Sequence, residues 1–244
     1  MILLTGGSGL LGRELRKHIK CLAPSRDFID ISRNNYEGYE NNEKGKFLLW
    51  YLDEFSPKLI IHCAAYTDVL KAETEKQLCY DTNVIGTRNI ASLGIPMIYI
   101  STEYVFDGKK GEYNELEYPN PQNFYAFTKL LGEYESKRSP RSCVIRCLFK
   151  PRPFEHEAAC VDQWTSGDYV DVMAKEISLA VSCFDKLPAT LHIGTERKST
   201  YELAQKTKPV RAITRGDIGG VILPRDTSLD CSLWRKIKSE NRIC

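Results

Sequence analysis

A glycine-rich run at the N-terminus, Thr5-Gly6-Gly7-Ser8-Gly9-Leu10-Leu11-Gly12, narrows the folds open to this chain more than any other segment. It follows the apolar residues Ile2–Leu4 and opens a stretch with helical spacing, Leu10–Lys20. In a strand–turn–helix unit each glycine has its own reason to be there. Gly6 permits the tight turn, Gly9 lets backbone approach a pyrophosphate, and Gly12 lets the helix pack closely on the strand. The free N–H groups at the helix start, beside Ser8, Leu10 and Leu11, then face the phosphates. A glycine-rich turn alone would also suit an ordinary strand–helix connection. Its position, directly after a strand and before a helix, makes dinucleotide binding the expectation.

The rest of the chain extends that unit. Apolar runs at Ile2–Leu4, Phe28–Ile31, Leu59–Cys63, Met97–Ile100 and Cys143–Arg146 read as strands. Between them, Leu10–Lys20, Phe47–Phe55, Thr82–Leu93 and Phe124–Lys137 carry helical spacing. Inner strands that are apolar throughout belong to a parallel sheet covered on both faces. The expected class is therefore α/β, a Rossmann-type doubly wound parallel sheet. After Lys150 the segment Pro151-Arg152-Pro153 interrupts the alternation. Residues 1–150 thus read as a dinucleotide-binding Rossmann domain, and 151–244 as a smaller substrate-binding lobe interleaved with the sheet. That lobe is expected to hold a helix near Tyr169–Val181, a strand near Thr190–Ile193 and a helix near Thr200–Thr207.

Composition limits the alternatives. Lys+Arg 34 against Asp+Glu 32 leave a formal charge of +2, too balanced to point to nucleic acid or an acidic membrane surface. A small-molecule partner is expected. Nine cysteines, an odd number with no CxxC pair, read as reduced thiols. With no basic leader and no run near the roughly 20 apolar residues of a membrane span, the expected location is cytoplasmic. The four histidines are dispersed without ligand spacing, so no metal is expected. Oligomeric state is left open, a homodimer included.

A second motif lies in a helical stretch, where Tyr125 and Lys129 in Tyr125-Ala126-Phe127-Thr128-Lys129 fall one turn apart on one face. In a chain with 13 tyrosines such a pair is ordinary. It gains weight by following Ser101–Gly108, which leaves the apolar strand Met97–Ile100 at the carboxyl edge where such sheets bind ligands. With these pieces the chain resembles the extended short-chain dehydrogenase/reductases, in particular the dTDP-4-dehydrorhamnose reductase family of sugar-nucleotide reductases. Also matching, in family order, are Cys63–Glu73, Asn83-Val84, and segments around Asp162-Gln163 and Arg197–Leu203.

The resemblance implies roles. Tyr125 would protonate the keto oxygen of a nucleotide-activated 6-deoxy sugar as hydride arrives from NADPH. An unperturbed phenol has a pKa near 10, so an anion accessible near neutral pH needs a shift of about 3 units, which a neighbouring Lys129 ammonium is suited to supply. Thr102 would orient the carbonyl, and Lys129 would also hold the nicotinamide ribose. Ala64, Ala65, Tyr66, Thr67 and Asn83 would complete the cofactor groove, with Glu103 and Tyr104 facing the sugar. Ser32 and Arg33, at the expected end of the strand Phe28–Ile31, would select the 2′-phosphate of NADPH; were Asp30 the ribose ligand instead, NADH would be favoured.

Two departures from the family pattern stand out. The segment Leu148–Tyr169 is compact, leaving Phe149 or Trp164 to cover the sugar, and Glu103 stands where the family has Asp. Three other readings share the fold. A dehydratase would carry an Asp-Glu pair where this chain has Glu103-Tyr104, a 4-epimerase would carry an acid where Ser32 stands, and a non-catalytic NADP-binding regulatory subunit would lose part of the Thr/Tyr/Lys set.

Overall fold

The computed structural model describes residues 1–24 and 43–242. The expected strand Phe28–Ile31, with Ser32 and Arg33, lies outside the described residues. Five strands form one parallel sheet: β1 (Ile2–Thr5), β2 (Leu59–His62), β3 (Met97–Thr102), β4 (Ser142–Cys147) and β5 (Thr190–His192), in that spatial order. The architecture is α/β and Rossmann-like. Consecutive strand residues point to opposite faces, and the core shows it. Leu4, Ile61, Ile98 and Ile145 enter one apolar cluster, with Leu15, Met173, Ile177 and Trp234. Leu3, Ile60, Tyr99 and Val144 enter another, with Leu48 and Ile90. Both faces are covered, which is why these strands are apolar without alternation.

The helices supply those covers. On one face lie α1 (Leu10–Leu15), α6 (Val170–Ser182) and α8 (Ser232–Asn241). On the other lie α2 (Glu43–Phe55), α4 (Gly86–Ala91) and α5 (Phe124–Ser136), with α3 (Lys76–Tyr80) against α5. Asn123 starts α5 as N-cap, its side chain accepting from the Ala126 amide at 2.9 Å. A Ser199/Glu202 capping box starts α7 (Thr200–Gln205).

Three elements differ from the sequence expectation. The first helix stops at Leu15 rather than Lys20, because the chain must reverse to lay Leu22 beside β1, where its amide donates to the Ile2 carbonyl at 2.8 Å. The stretch expected as one helix from Thr82 begins instead with a π-helical turn, Asp81–Ile85. Its freed Asn83 carbonyl accepts from the Thr87 hydroxyl at 2.7 Å. Helix α8 was not anticipated. Its apolar residues are few, but Trp234 is 1% exposed and donates through Nε1 to Glu176 on α6 at 2.6 Å.

Candidate active site

At the carboxyl ends of β1 and β2 lies a cavity of about 690 Å³. Its wall includes Gly6, Ser8, Gly9, Leu10, Leu11 and Gly12 from the turn, Ala64, Ala65 and Thr67 from the loop after β2, and Phe149, Lys150 and Pro151 after β4. The glycines are sterically required. Gly6 has φ +70°, and a Cβ there would sit 2.6 Å from the Ala64 amide nitrogen. A Cβ on Gly12 would run into the Gly6 carbonyl. The Arg13 guanidinium braces the turn by donating to the Ser8 carbonyl at 2.9 Å. Below it, His62 bridges Thr5 (2.6 Å) and Thr87 (3.1 Å), with burial first and the Lys129 charge second pushing its pKa down to about 3. A neutral imidazole therefore ties β1 and β2 to α4.

Two residues expected in the groove act from behind it. Asn83, 1% exposed, accepts the Tyr66 amide on Oδ1 at 2.8 Å, while its Nδ2 donates to the Tyr66 carbonyl and to Thr128 Oγ1. It clamps the loop and does not line the cavity. Tyr66 turns its hydroxyl away to Glu75 at 2.7 Å, so the groove here is formed by Ala64, Ala65 and Thr67.

At the end of β3 the expected trio comes together beside this groove, though outside the cavity's own wall. Thr102, 6% exposed, accepts the Tyr104 amide at 3.2 Å, and its hydroxyl is near enough to the Tyr125 phenol to act on its proton. Tyr125 is half-buried in the first turn of α5. Lys129, 3% exposed, donates to the Ile100 carbonyl at 2.8 Å and lies 4.1 Å from the centroid of the Tyr99 ring. Burial pushes its pKa down to about 8, against the opposing pull of Glu133. The Tyr125 phenol is not lowered in this state. Burial pushes it up, and only the nearby Thr102 hydroxyl opposes that. Lys129 is engaged with strand backbone, so the tyrosine-activating contact expected from the sequence is not made here.

Glu103 and Tyr104 also differ from expectation. Glu103 has no exposed surface; its Oε1 accepts from Thr227 at 2.7 Å and its Oε2 is buried without a partner. Burial, the largest influence, raises its pKa to about 7, while the neighbouring Thr165 and Thr227 hydroxyls pull the other way. It is a strut between β3 and the C-terminal segment. The Tyr104 hydroxyl accepts from Gln163 Nε2 at 2.9 Å. Of the two aromatics considered as sugar cover, Phe149 lines the cavity, and Trp164 carries the Arg197 guanidinium 4.0 Å from its ring centroid.

Sequence reasoning missed the support beneath the trio. Glu133, one turn after Lys129 on α5, takes Arg146 of β4 through two bonds of 2.9 and 2.7 Å and Ser101 of β3 at 2.6 Å. All three are buried. An arginine inside the otherwise apolar run Cys143–Cys147 was the available clue, since a buried guanidinium demands a carboxylate. Among the described residues no cluster of His, Cys, Asp and Glu side chains could hold a metal ion, and no helix is long and apolar enough to cross a membrane.

The family model described as the RmlD substrate binding domain matches residues 1–150. The chain belongs to that family. Among solved structures, it is similar to dTDP-4-dehydrorhamnose reductase from Bacillus anthracis in complex with NADP, with a TM-score of 0.80 and 25% identity over 97% of this chain and 92% of that one. A hypothetical dTDP-4-dehydrorhamnose reductase from Sulfolobus tokodaii superposes with a TM-score of 0.77 at 29% identity, covering 97% and 94% of the two chains. A curated dTDP-4-dehydrorhamnose reductase from Aggregatibacter actinomycetemcomitans is 31% identical, covering 69% of this chain and 52% of its own length. The bovine protein named methionine adenosyltransferase 2 subunit beta is 26% identical, covering 95% of this chain and 80% of its own length. The proteins this chain is similar to thus include ones named as reductases and ones named as a subunit of a different enzyme.

Proposed function

We propose that this protein is an NADPH-dependent reductase of the 4-keto group of a nucleotide-activated 6-deoxy sugar. The observation that carries the reading is the convergence of Thr102, at the end of β3, with Tyr125 and Lys129, one turn apart on α5, beside a groove floored by the Gly6–Gly12 turn. The groove suits a dinucleotide: a Cβ at Gly6 or Gly12 would meet backbone, so only glycine lets the turn close as tightly as a pyrophosphate-binding turn requires. Bound NADPH would supply the hydride. Tyr125 gives its proton to the keto oxygen, which Thr102 orients. The upward-shifted phenol is protonated at neutral pH, the form that a reduction consumes. Lys129, with a pKa of about 8, is poised to return a proton once its ammonium leaves the Ile100 carbonyl.

A second reading, a non-catalytic cofactor-binding subunit, is favoured by the near full-length likeness to proteins named as a beta subunit and by the engagement of Lys129 with strand backbone. One assay separates the two. Purified protein with NADPH and a panel of dTDP-, UDP- and GDP-4-keto-6-deoxy sugars should lose absorbance at 340 nm with one of them. Tight NADPH binding without oxidation across the panel would replace the reductase by the subunit.

A further inference from the structure

Lys150 lies on the wall of the same cavity as the glycine turn. It ends the short strand Phe149–Lys150, which pairs with Asp168–Tyr169, so its backbone is held in place. The side chain is half-buried. Among the described residues its ammonium has no hydrogen-bond acceptor and forms no ion pair, unlike Lys198, which reaches Gly167, Thr195 and Glu196. The other charged groups on this wall are Arg13, which donates to the Ser8 carbonyl, and Glu155, which pairs with exposed His156 at 3.2 Å. Burial lowers the lysine's hold on its proton, and Glu155 and Glu103 only partly restore it. A partly desolvated cation without a partner is unfavourable unless an anion completes it.

We infer that the Lys150 ammonium binds the pyrophosphate of the dinucleotide, adding a side-chain charge to the backbone amides of the glycine turn. The inference rests on the dinucleotide reading of the groove. The pyrophosphate is the anionic part of the ligand that the Gly6–Gly12 turn would seat, and Lys150 is the cation on that wall with no competing acceptor. Nothing in the sequence marks this position, because the lysine falls between the apolar run of β4 and the interruption Pro151-Arg152-Pro153.

The test is calorimetric titration of the full chain and of Lys150→Met and Lys150→Gln. Two ligands are used: NADP⁺, and 2′-phospho-ADP-ribose, which keeps every phosphate and lacks nicotinamide. Loss of a charge-assisted bond to phosphate should weaken both ligands by about tenfold to a hundredfold in both variants, with the melting temperature of the free protein unchanged. Wild-type affinity in the variants overturns the assignment and leaves the dinucleotide reading standing. A loss confined to NADP⁺ also overturns it, by moving Lys150 to the nicotinamide end. A lowered melting temperature with unchanged affinity overturns it in favour of a structural tie to Glu155. Failure of the wild type to bind either ligand removes the dinucleotide reading itself.

Discussion

The groove after β1 and the wall after β3 are built from different materials. In the groove the glycine turn presents backbone, and the side chains at positions 6 and 12 matter by being absent. At the wall the proposed working groups are a phenol, a hydroxyl and an ammonium, above a buried carboxylate–guanidinium pair and titrating where burial puts them. The glycine turn should therefore respond to added volume and ignore pH, whereas the wall should respond to the loss of a single polar atom and to protons.

The largest expected effect is chemical. Tyr125→Phe removes the proposed proton donor and keeps the ring, so turnover should fall by about 10²–10⁴-fold while NADPH affinity stays within several-fold. Steady-state kinetics paired with titration decides it; undiminished turnover would take Tyr125 out of the mechanism and blur the division between the two regions.

Next comes the proton dependence of Lys129. Its pKa stands at about 8 in the folded protein, below the ordinary lysine value of 10.5. The folded state thus holds this proton more weakly than the unfolded chain, so the cost of burying the ammonium is fully present below pH 8 and fades as pH rises toward 10.5. Relative to Lys129→Met, the wild type should gain on the order of 3 kcal/mol across that window. Urea denaturation of both proteins at intervals from pH 7 to 10.5 measures the gap, and a constant gap would mean the ammonium is not desolvated.

Smallest is the steric effect in the groove. Gly12→Ala forces a methyl group against the Gly6 carbonyl, which should cost about 1–3 kcal/mol. The loss should be the same at pH 7 and pH 9.5. A pH-dependent loss would show that the turn is coupled to the titrating wall.

Much of the architecture was legible because it is local. Apolar runs of three to five residues between helical stretches marked β1 to β4 within a residue or two, and the spacing of Tyr125 and Lys129 placed the pair on α5. What escaped notice depends on distant partners. Helix α8 carries too few apolar residues for its periodicity to stand out, and it is held through Trp234 and Lys238 on Glu176. Tyr66 and Asn83 fell in a matching motif, yet which of their atoms face the groove depends on Glu75 and Thr128.

By itself the sequence determined the order of strands and helices, the glycine turn that no other residue could make, and the co-occurrence of Thr102, Tyr125 and Lys129. Those follow from backbone sterics and from the 2.0 and 3.6 periodicities, which neighbouring residues settle among themselves. The tertiary structure alone decided that Thr190–His192 closes the sheet beside β4, that Glu103 is spent on a threonine 124 residues later, and that Lys150 lines the groove without a partner among the described residues. Burial and partner choice depend on what the rest of the chain brings within a few ångströms, and a free energy of desolvation cannot be assigned to a side chain before those neighbours are known.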